Sequence, residues 1–408
     1  MTPEEARAAA TLAGRAVAGV ANTVETTHEA LADWTLRTLG RDRPLGPWRM
    51  IHKGTYAAIR TAAPLVGTAA GHAASRLIDP AAPSVATTPR GSIIQGALNG
   101  AVGSDLHSAS SALAVRMSLR TGNRDVACER GDLSAAYPDA SSQLVVFVHG
   151  LCHDENAWTP RPDPDSGAPR PSFAERLADD TSATALLLRY NTGRHISENG
   201  RDLSHLLHDL FREWPVPVTS LVLVGHSMGG LVIRSACAQA RPAGSPWLGV
   251  TRLVATIGTP HTGAPLERFA AATERRLAST DLTRGLARIC HARSAGIKDL
   301  RRGYIHVVEW ADCDQDTCAH DHRRHEPPLE TAEHLVVAST VTRDPRHPLG
   351  RAVGDILVRT DSAHGLAPDG RHVGFPSQSE HTVGGVTHLG LLHDPRVYEH
   401  LRARIADA

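Results

Sequence analysis

Leu221-Val-Leu-Val224-Gly225-His-Ser227-Met-Gly229-Gly230 is the stretch that decides the fold of this chain. Its first four residues form a continuous apolar run, which is typical of a strand buried on both faces of a parallel sheet. Gly-x-Ser-x-Gly directly after such a strand, with a helix predicted next, indicates a sharp turn that carries a nucleophilic serine. The flanking glycines remove side chains that would collide in this turn. We therefore predict Ser227, strained and with its hydroxyl exposed, as a catalytic nucleophile.

Four further apolar runs predict buried strands on either side of this one. They span Leu144–Val148, Ala185–Leu188, Leu253–Ile257 and Leu335–Ala338. Helical patterns separate most of them, with a clear amphipathic face over residues 203–211. Strands that alternate with helices predict an α/β fold whose mostly parallel, doubly wound sheet is covered on both faces. Ligands on such sheets bind beyond the carboxyl ends of the strands, so the functional residues should follow these runs.

The first quarter of the chain differs in composition from the rest. Residues 1–90 are rich in alanine and are predicted to form a helical segment, which a Pro-rich linker near residues 79–91 separates from an α/β domain over 91–408. Within that domain, apolar residues at helical spacing predict a helix around 93–102. Strict alternation over 113–119 predicts a half-buried strand. A turn at 121–123 then leads into a short strand near 126–128, which completes a hairpin.

Composition excludes several classes of protein. Lys plus Arg number 43 and Asp plus Glu number 43, so no excess of positive charge favours nucleic acid as a partner. Because no apolar run reaches the length of a membrane span, we expect no transmembrane segment. The N-terminus lacks the basic region of a secretory signal. Six cysteines in 408 residues are too few for a disulfide scaffold, and we expect a cytoplasmic protein.

A serine nucleophile needs two hydrogen-bond donors for the negative charge that develops on the substrate oxygen. One is predicted to be the backbone N–H of Met228, the residue after the nucleophile, at the start of the following helix. The other should come from a loop after an earlier strand. The run 144–148 leads directly into His149-Gly150-Leu151, where glycine lets the backbone approach closely. We therefore predict the N–H of Leu151 as the second donor.

Five motifs together resemble one known superfamily. They are Val146-Phe-Val-His-Gly-Leu151, Gly225-His-Ser-Met-Gly-Gly230, Gly258-Thr-Pro-His-Thr-Gly-Ala264, Gly354-Asp-Ile-Leu-Val358 and Thr387-His-Leu-Gly-Leu-Leu392. The region from about 143 to 400 resembles the α/β-hydrolase superfamily, and within it the lipase-like branch related to the GPI inositol-deacylases (PGAP1-like). This resemblance implies an α/β-hydrolase fold, a Ser–acid–His triad and ester hydrolysis. It does not supply the substrate.

The triad of this superfamily follows the chain order serine, acid, histidine. The motif before the apolar C-terminal segment favours His388, whereas His364, His372, His381 and His393 are alternatives. Asp355 fits the Gly-Asp-x-x-Val element of the family. Asp344 and Asp361 are the alternative acids. The predicted task of Asp355 is to orient the imidazole of His388 and stabilise its protonated form.

The stretch from about 266 to 332 interrupts the alternation of strands and helices. Insertions at this position of lipase-like proteins commonly cover the active site, so we expect a cap or lid with a helix around residues 282–289. A surface decoration is the alternative. Inside this stretch lies a cluster of metal-ligating residue types: Cys313, Cys318, His320, His322 and His325. Their spacing matches no common zinc module, and we predict neither a metal nor any other cofactor.

These expectations converge on a serine hydrolase that cleaves carboxylic esters of small molecules or lipids through an acyl-enzyme intermediate. An acyltransferase or a thioesterase would use the same triad, and the sequence does not separate them. A non-catalytic binding scaffold of the same fold is the third alternative.

Overall fold

A central sheet of eight strands organises the computed structural model, which describes residues 1–19, 46–159, 161–162, 169–170, 172–264, 294–312, 315 and 320–406. The sheet order is β10-β9-β8-β7-β3-β6-β1-β2. The strands from β10 to β6 in this order are parallel, and β1 and β2 add an antiparallel edge. A separate pair, β4 and β5, consists of two residues each. The strand bounds are β1 Ser118–Thr121, β2 Arg124–Val126, β3 Gln143–Val148, β4 Arg161–Pro162, β5 Pro169–Arg170, β6 Thr184–Arg189, β7 Ser220–His226, β8 Thr251–Ile257, β9 Glu333–Thr340 and β10 Glu380–Gly384.

The strand order reverses between β3 and β7. After β3 the chain crosses to β6 on one side, and it then returns to place β7 on the other side of β3. In open α/β sheets such a reversal opens a crevice beyond the carboxyl ends of the two strands. The two loops that begin at this crevice start with His149 and Ser227. The topology therefore brings the two predicted sources of oxyanion donors to one place.

Helices cover both faces of the sheet. Along β3, Leu144, Val146 and Val148 belong to one apolar core, whereas Val145 and Phe147 belong to the opposite one. The first core includes α6 and α7, and the second includes α5 and α12. The helix bounds are α1 3–19, α2 Gly46–Leu77, α3 Pro89–Ser108, α4 Arg130–Ala136, α5 Phe173–Asp180, α6 Ile196–Glu213, α7 Met228–Ala240, α8 Trp247–Val250, α9 Ala295–Leu300, α10 Pro348–Val353, α11 Thr360–Ala363 and α12 Pro395–Ala406.

The five predicted core strands are confirmed, each a little longer than its apolar run. The amphipathic face over 203–211 lies in α6. The predicted hairpin is formed by β1 and β2, but its second strand lies at Arg124–Val126 instead of near 126–128. The edge strand β10 was not predicted, because its five residues contain a single buried position, Val383. Among the described residues, no helix combines the length and hydropathy that crossing a membrane requires.

The predicted strand over 113–119 is wrong in its first half, since β1 begins at Ser118. Side chains of α3 satisfy the backbone polar groups that a neighbouring strand would otherwise bind. Asn99 donates to the carbonyl of Leu113 (2.8 Å) and accepts from the N–H of Val115 (2.9 Å). Leu113 is buried against α3 as well. The alternating pattern therefore reflects packing against a helix instead of pairing in a sheet.

Helix α3 packs against the loops after β3 and β6. Asn191, which follows β6, donates to the carbonyl of Gly103 (2.9 Å). A Cβ atom on Gly96 would lie 2.8 Å from the carbonyl oxygen of His153, and one on Gly100 would lie 2.8 Å from the Cα of Cys152. Because real Cβ atoms do not approach so closely, only glycine allows the loop after β3 to lie this near to the helix.

Candidate active site

Ser227 occupies the turn between β7 and α7 with φ 54° and ψ −122°. A positive φ of this size is strained for a residue with a side chain. The close approach of Gly225 permits the turn, since a Cβ there would lie 2.7 Å from the Cα of Gly230. The predicted strain is therefore observed. The predicted exposure is not, because Ser227 is only 2% exposed beneath neighbouring loops.

The loop after β3 lies directly against Ser227. A Cβ on Gly150 would be 3.0 Å from the Cβ of Ser227. The next residues reverse the chain, with Cys152 at φ 59°. Within the described part of the chain, the N–H groups of Leu151 and Met228 donate no hydrogen bond. The two predicted oxyanion donors thus flank Ser227 with their donor capacity available.

His388 and Asp355 form a buried hydrogen-bonded pair. The Nδ1–H of His388 donates to Oδ2 of Asp355 at 2.7 Å, and their side chains are 5% and 2% exposed. The other carboxylate oxygen, Oδ1, accepts the backbone N–H groups of Leu357 (3.0 Å) and Val358 (2.8 Å). The backbone N–H of His388 also donates to the carbonyl of Asp355 at 3.2 Å. This arrangement leaves Nε2 as the basic nitrogen of the imidazole.

The backbone of Ser227 and the ring of His388 both lie against the end of β8. The backbone N–H of Ser227 donates to the carbonyl of Ile257 at 2.9 Å. A Cβ on the next residue, Gly258, would lie 3.2 Å from Cε1 and Nδ1 of His388. The backbone of Ser227 and the imidazole of His388 therefore both lie close to residues 257 and 258.

The alternative acids lie elsewhere on the surface. Asp344 is exposed and accepts the N–H of Arg346 at 2.9 Å. Asp361 is 56% exposed and faces Arg351 at 3.4 Å. Within the described residues, neither carboxylate lies within salt-bridge distance of a histidine.

The alternative histidines have other neighbours as well. His364 lies 3.6 Å from Glu380, and the ring of His381 lies 4.2 Å from that of His400. His372 is exposed, and His393 is half-buried at the start of the C-terminal helix. The structure therefore pairs His388 with Asp355 near the turn of Ser227, and within the described residues neither alternative acid pairs with a histidine.

His226 is a residue of the site that we did not predict. Its Nε2–H donates to the backbone carbonyl of His388 at 3.1 Å, and the two rings lie 4.8 Å apart. Burial, and then the neighbouring His388, holds the pKa of His226 well below its ordinary value, so its ring stays neutral. Its sequence position next to Ser227 could have indicated a role in the site. The carbonyl that it binds, however, lies 162 residues further along the chain.

His149 supports the loop that follows β3. Its Nδ1–H donates to the carbonyl of Gly150 at 3.0 Å, and its ring stacks on Tyr190 with centroids 4.4 Å apart. The Tyr190 hydroxyl donates back to the carbonyl of His149 at 2.8 Å. Burial lowers the pKa of His149 to about 4, so the ring is neutral at pH 7. A neutral, doubly anchored ring gives the loop a defined conformation.

The predicted cap lies partly outside the described residues, including its expected helix around 282–289. In its described part, α9 packs beside the start of α7, where a Cβ on Gly296 would lie 3.1 Å from the terminal methyl of Met228. Cys313 and Cys318 also lie outside the described residues. The described members of that cluster, His320, His322 and His325, belong to no group of potential metal ligands among the residues that the structure describes.

Comparison with known proteins confirms the resemblance predicted from the sequence. The model of the PGAP1-like alpha/beta domain matches residues 191–341, a region that contains Ser227 and ends before Asp355 and His388. No curated protein matches the sequence.

Similar solved structures include lipases and esterases. The mature form of Bacillus licheniformis lipase BlEst2 is 18% identical, with a TM-score of 0.41 over 64% of this chain and 91% of that chain. Pyrococcus furiosus esterase Pf2001 is 13% identical, with a TM-score of 0.36 over 66% and 80% of the two chains. A thermophilic esterase from Thermogutta terrifontis is 15% identical, with a TM-score of 0.36 over 66% and 91%.

The sheet topology and the family match together define the class of protein. The mostly parallel eight-stranded sheet with helices on both faces is an α/β-hydrolase fold. Within it, residues 191–341 match the model of the PGAP1-like alpha/beta domain.

Proposed function

We propose that this protein is a serine hydrolase that cleaves carboxylic esters through Ser227, His388 and Asp355. The observation that carries the proposal is the strained turn of Ser227, which lies between a loop with an available N–H donor and a histidine already paired with a buried carboxylate. Small-molecule or lipid esters are the proposed substrates.

In the first half of the reaction, Ser227 Oγ attacks the ester carbonyl while Nε2 of His388 takes its proton. Asp355 holds the imidazole in the required tautomer and stabilises its positive charge. The N–H groups of Leu151 and Met228 bind the oxyanion of the tetrahedral intermediate. His388 then returns the proton to the leaving alcohol, and the acyl group stays on Ser227.

In the second half, water replaces the alcohol. His388 removes a proton from the water as it attacks the acyl carbonyl, and Ser227 Oγ leaves with that proton. The carboxylic acid is released and the serine is restored. Each step uses the same imidazole, so the pairing of His388 with Asp355 serves both halves.

The test is active-site labelling together with ester hydrolysis. A fluorophosphonate probe is expected to label the wild-type chain once, at Ser227, and to leave Ser227→Ala unlabelled. Hydrolysis of p-nitrophenyl esters of graded chain length is expected to fall by on the order of 10⁶ in Ser227→Ala, as removal of a triad nucleophile does elsewhere. Mass spectrometry of the labelled peptide identifies the site.

Ser235 supplies the matched control, since it is a buried serine on the same helix that follows the turn. Labelling and hydrolysis should persist in Ser235→Ala. Folded wild-type protein that neither reacts with the probe nor hydrolyses any ester or thioester would overturn the proposal and favour the binding scaffold.

A further inference from the structure

A pocket of about 360 Å³, whose lining does not include Ser227, lies between α7 and the segments around residues 303–305, 323–326 and 367–373. Its volume is within the range of small-molecule sites, roughly 300–1,000 Å³. Four of its lining residues are arginines. Another lining residue, His261, belongs to the loop that follows Gly258. The arginines are Arg234, Arg323, Arg324 and Arg371. Glu326 is the carboxylate in the lining.

The nearby carboxylates are already engaged. Asp321 binds both Arg323 (2.8 Å) and Arg371 (2.5 Å), and Asp369 binds Arg371 as well (2.6 Å). These two acids balance two of the four guanidinium charges. The remaining two charges are those of Arg234 and Arg324.

Glu326 and Glu309 do not pair with those two guanidinium groups. The Glu326 carboxylate binds Arg241 and lies 3.3 Å from Nε2 of His306. The buried carboxylate of Glu309 accepts backbone N–H groups of residues 305, 306 and 324 at 2.6 to 2.7 Å. Both acids attract Arg234 from a distance. In the described part of the chain, however, neither Arg234 nor Arg324 has a carboxylate oxygen within salt-bridge distance.

Two arginines of the pocket lining also carry a buried nitrogen that has no acceptor within the described part of the chain. Among the described residues, no acceptor binds the buried Nε of Arg234 or the buried Nη1 of Arg323. The other nitrogens of Arg234 donate to the carbonyl of Glu326 (3.0 Å) and to Nδ1 of His261 (3.5 Å). A buried donor without an acceptor costs roughly 1–3 kcal/mol, so two such donors at one pocket are unusual. Burial also lowers the pKa of Arg234 to about 10.

We propose that this pocket binds a small anionic ligand that carries a phosphate or carboxylate group. Guanidinium groups recognise both through paired N–H donors, and such charge-assisted hydrogen bonds are among the strongest available to a protein. The anion would balance the two unpaired guanidinium charges. This inference does not depend on the proposed esterase activity, because Ser227, His388 and Asp355 do not line the pocket.

Isothermal titration calorimetry of the full chain with sodium phosphate and with sodium succinate tests the proposal at low ionic strength. We expect saturable binding of one anion per chain, weakened by added salt. The tighter of the two probes identifies the ligand group. Arg324→Gln keeps a polar side chain at an exposed position and should not affect folding. Arg234→Met removes the buried charge and keeps an unbranched side chain in place of the arginine stem. Each is expected to raise the dissociation constant by about tenfold or more, equivalent to about 1.4 kcal/mol.

Two control variants test whether the anion binds at this pocket. Arg212→Gln removes an arginine that is 66% exposed on α6 and should bind as the wild type does. Ser227→Ala should also bind normally, so that failure of the esterase proposal leaves the result interpretable. The proposed anion site is refuted if neither anion binds. It is also refuted if Arg324→Gln and folded Arg234→Met bind the anion as tightly as the wild type, or if Arg212→Gln weakens binding as much as they do.

Discussion

Asp355 has the weakest support from sequence within the proposed triad and the clearest geometry in the structure. One of its carboxylate oxygens accepts a hydrogen bond from His388, and the other accepts hydrogen bonds from two backbone N–H groups. In Asp355→Asn the amide oxygen can still accept those backbone bonds, so the turn should persist. The loss of the carboxylate leaves His388 in the wrong tautomer, and we expect kcat to fall by about 10⁴. Steady-state ester hydrolysis measures the effect.

Asp361→Asn is the matched control for this prediction, because its carboxylate is exposed and faces an arginine. Circular dichroism should show both variants folded. Near-normal turnover in Asp355→Asn, with the loss appearing in Asp361→Asn or Asp344→Asn, would move the role of the acid to another residue.

At the scale of elements, helix α3 positions the loop that carries the Leu151 donor. A methyl group at residue 100 would lie 2.8 Å from the Cα of Cys152 and 2.9 Å from its N, so Gly100→Ala must displace the loop. Misalignment of one oxyanion donor costs about 10² to 10³ in kcat. We expect such a loss with KM nearly unchanged, and a parallel loss of affinity for a trifluoromethyl ketone that mimics the tetrahedral intermediate.

Gly131→Ala provides the comparison, since residue 131 also lies in a helix but faces open space. Its kinetics should match the wild type. Gly96→Ala would place a methyl group against the carbonyl of His153, so it should also lower kcat, as Gly100→Ala does. If folded Gly100→Ala keeps wild-type kcat and inhibitor affinity, then α3 does not position the donor.

At the scale of the whole molecule, buried neutral histidines make stability depend on pH. Burial lowers the pKa of His149 to about 4 and holds those of His226 and His261 well below the ordinary value. In the unfolded chain each binds a proton near pH 6.5. The unfolded state therefore binds more protons below that pH, and the free energy of unfolding should fall as pH decreases from about 6.5 toward 4. Each histidine contributes at most about 1.4 kcal/mol per pH unit.

Urea unfolding at about pH 7, 6 and 5 measures this slope. His261→Gln should reduce it, whereas His208→Gln, which replaces an exposed histidine on α6, should leave it unchanged. A free energy of unfolding that stays constant over this range would show that the buried histidines accept protons without cost.

The sequence by itself determined the features that neighbouring residues encode. Buried strands appear as apolar runs, helices as amphipathic periods, and the turn at Ser227 as paired glycines, because each depends on local steric and solvent preferences. The choice of His388 and Asp355 over their alternatives came from a family pattern, and their 2.7 Å contact could not be derived from either segment alone.

Only the tertiary structure decided the contacts between distant segments. The support of His388 by His226, the packing of α3 on the loop after β3, and the arginine pocket each join segments that lie far apart in the chain. The alternation over 113–119 led to a wrong strand prediction for the same reason, since the first of those residues pack against helix α3 instead of a neighbouring strand. Such contacts depend on how the elements pack, and no local period in the sequence records that packing.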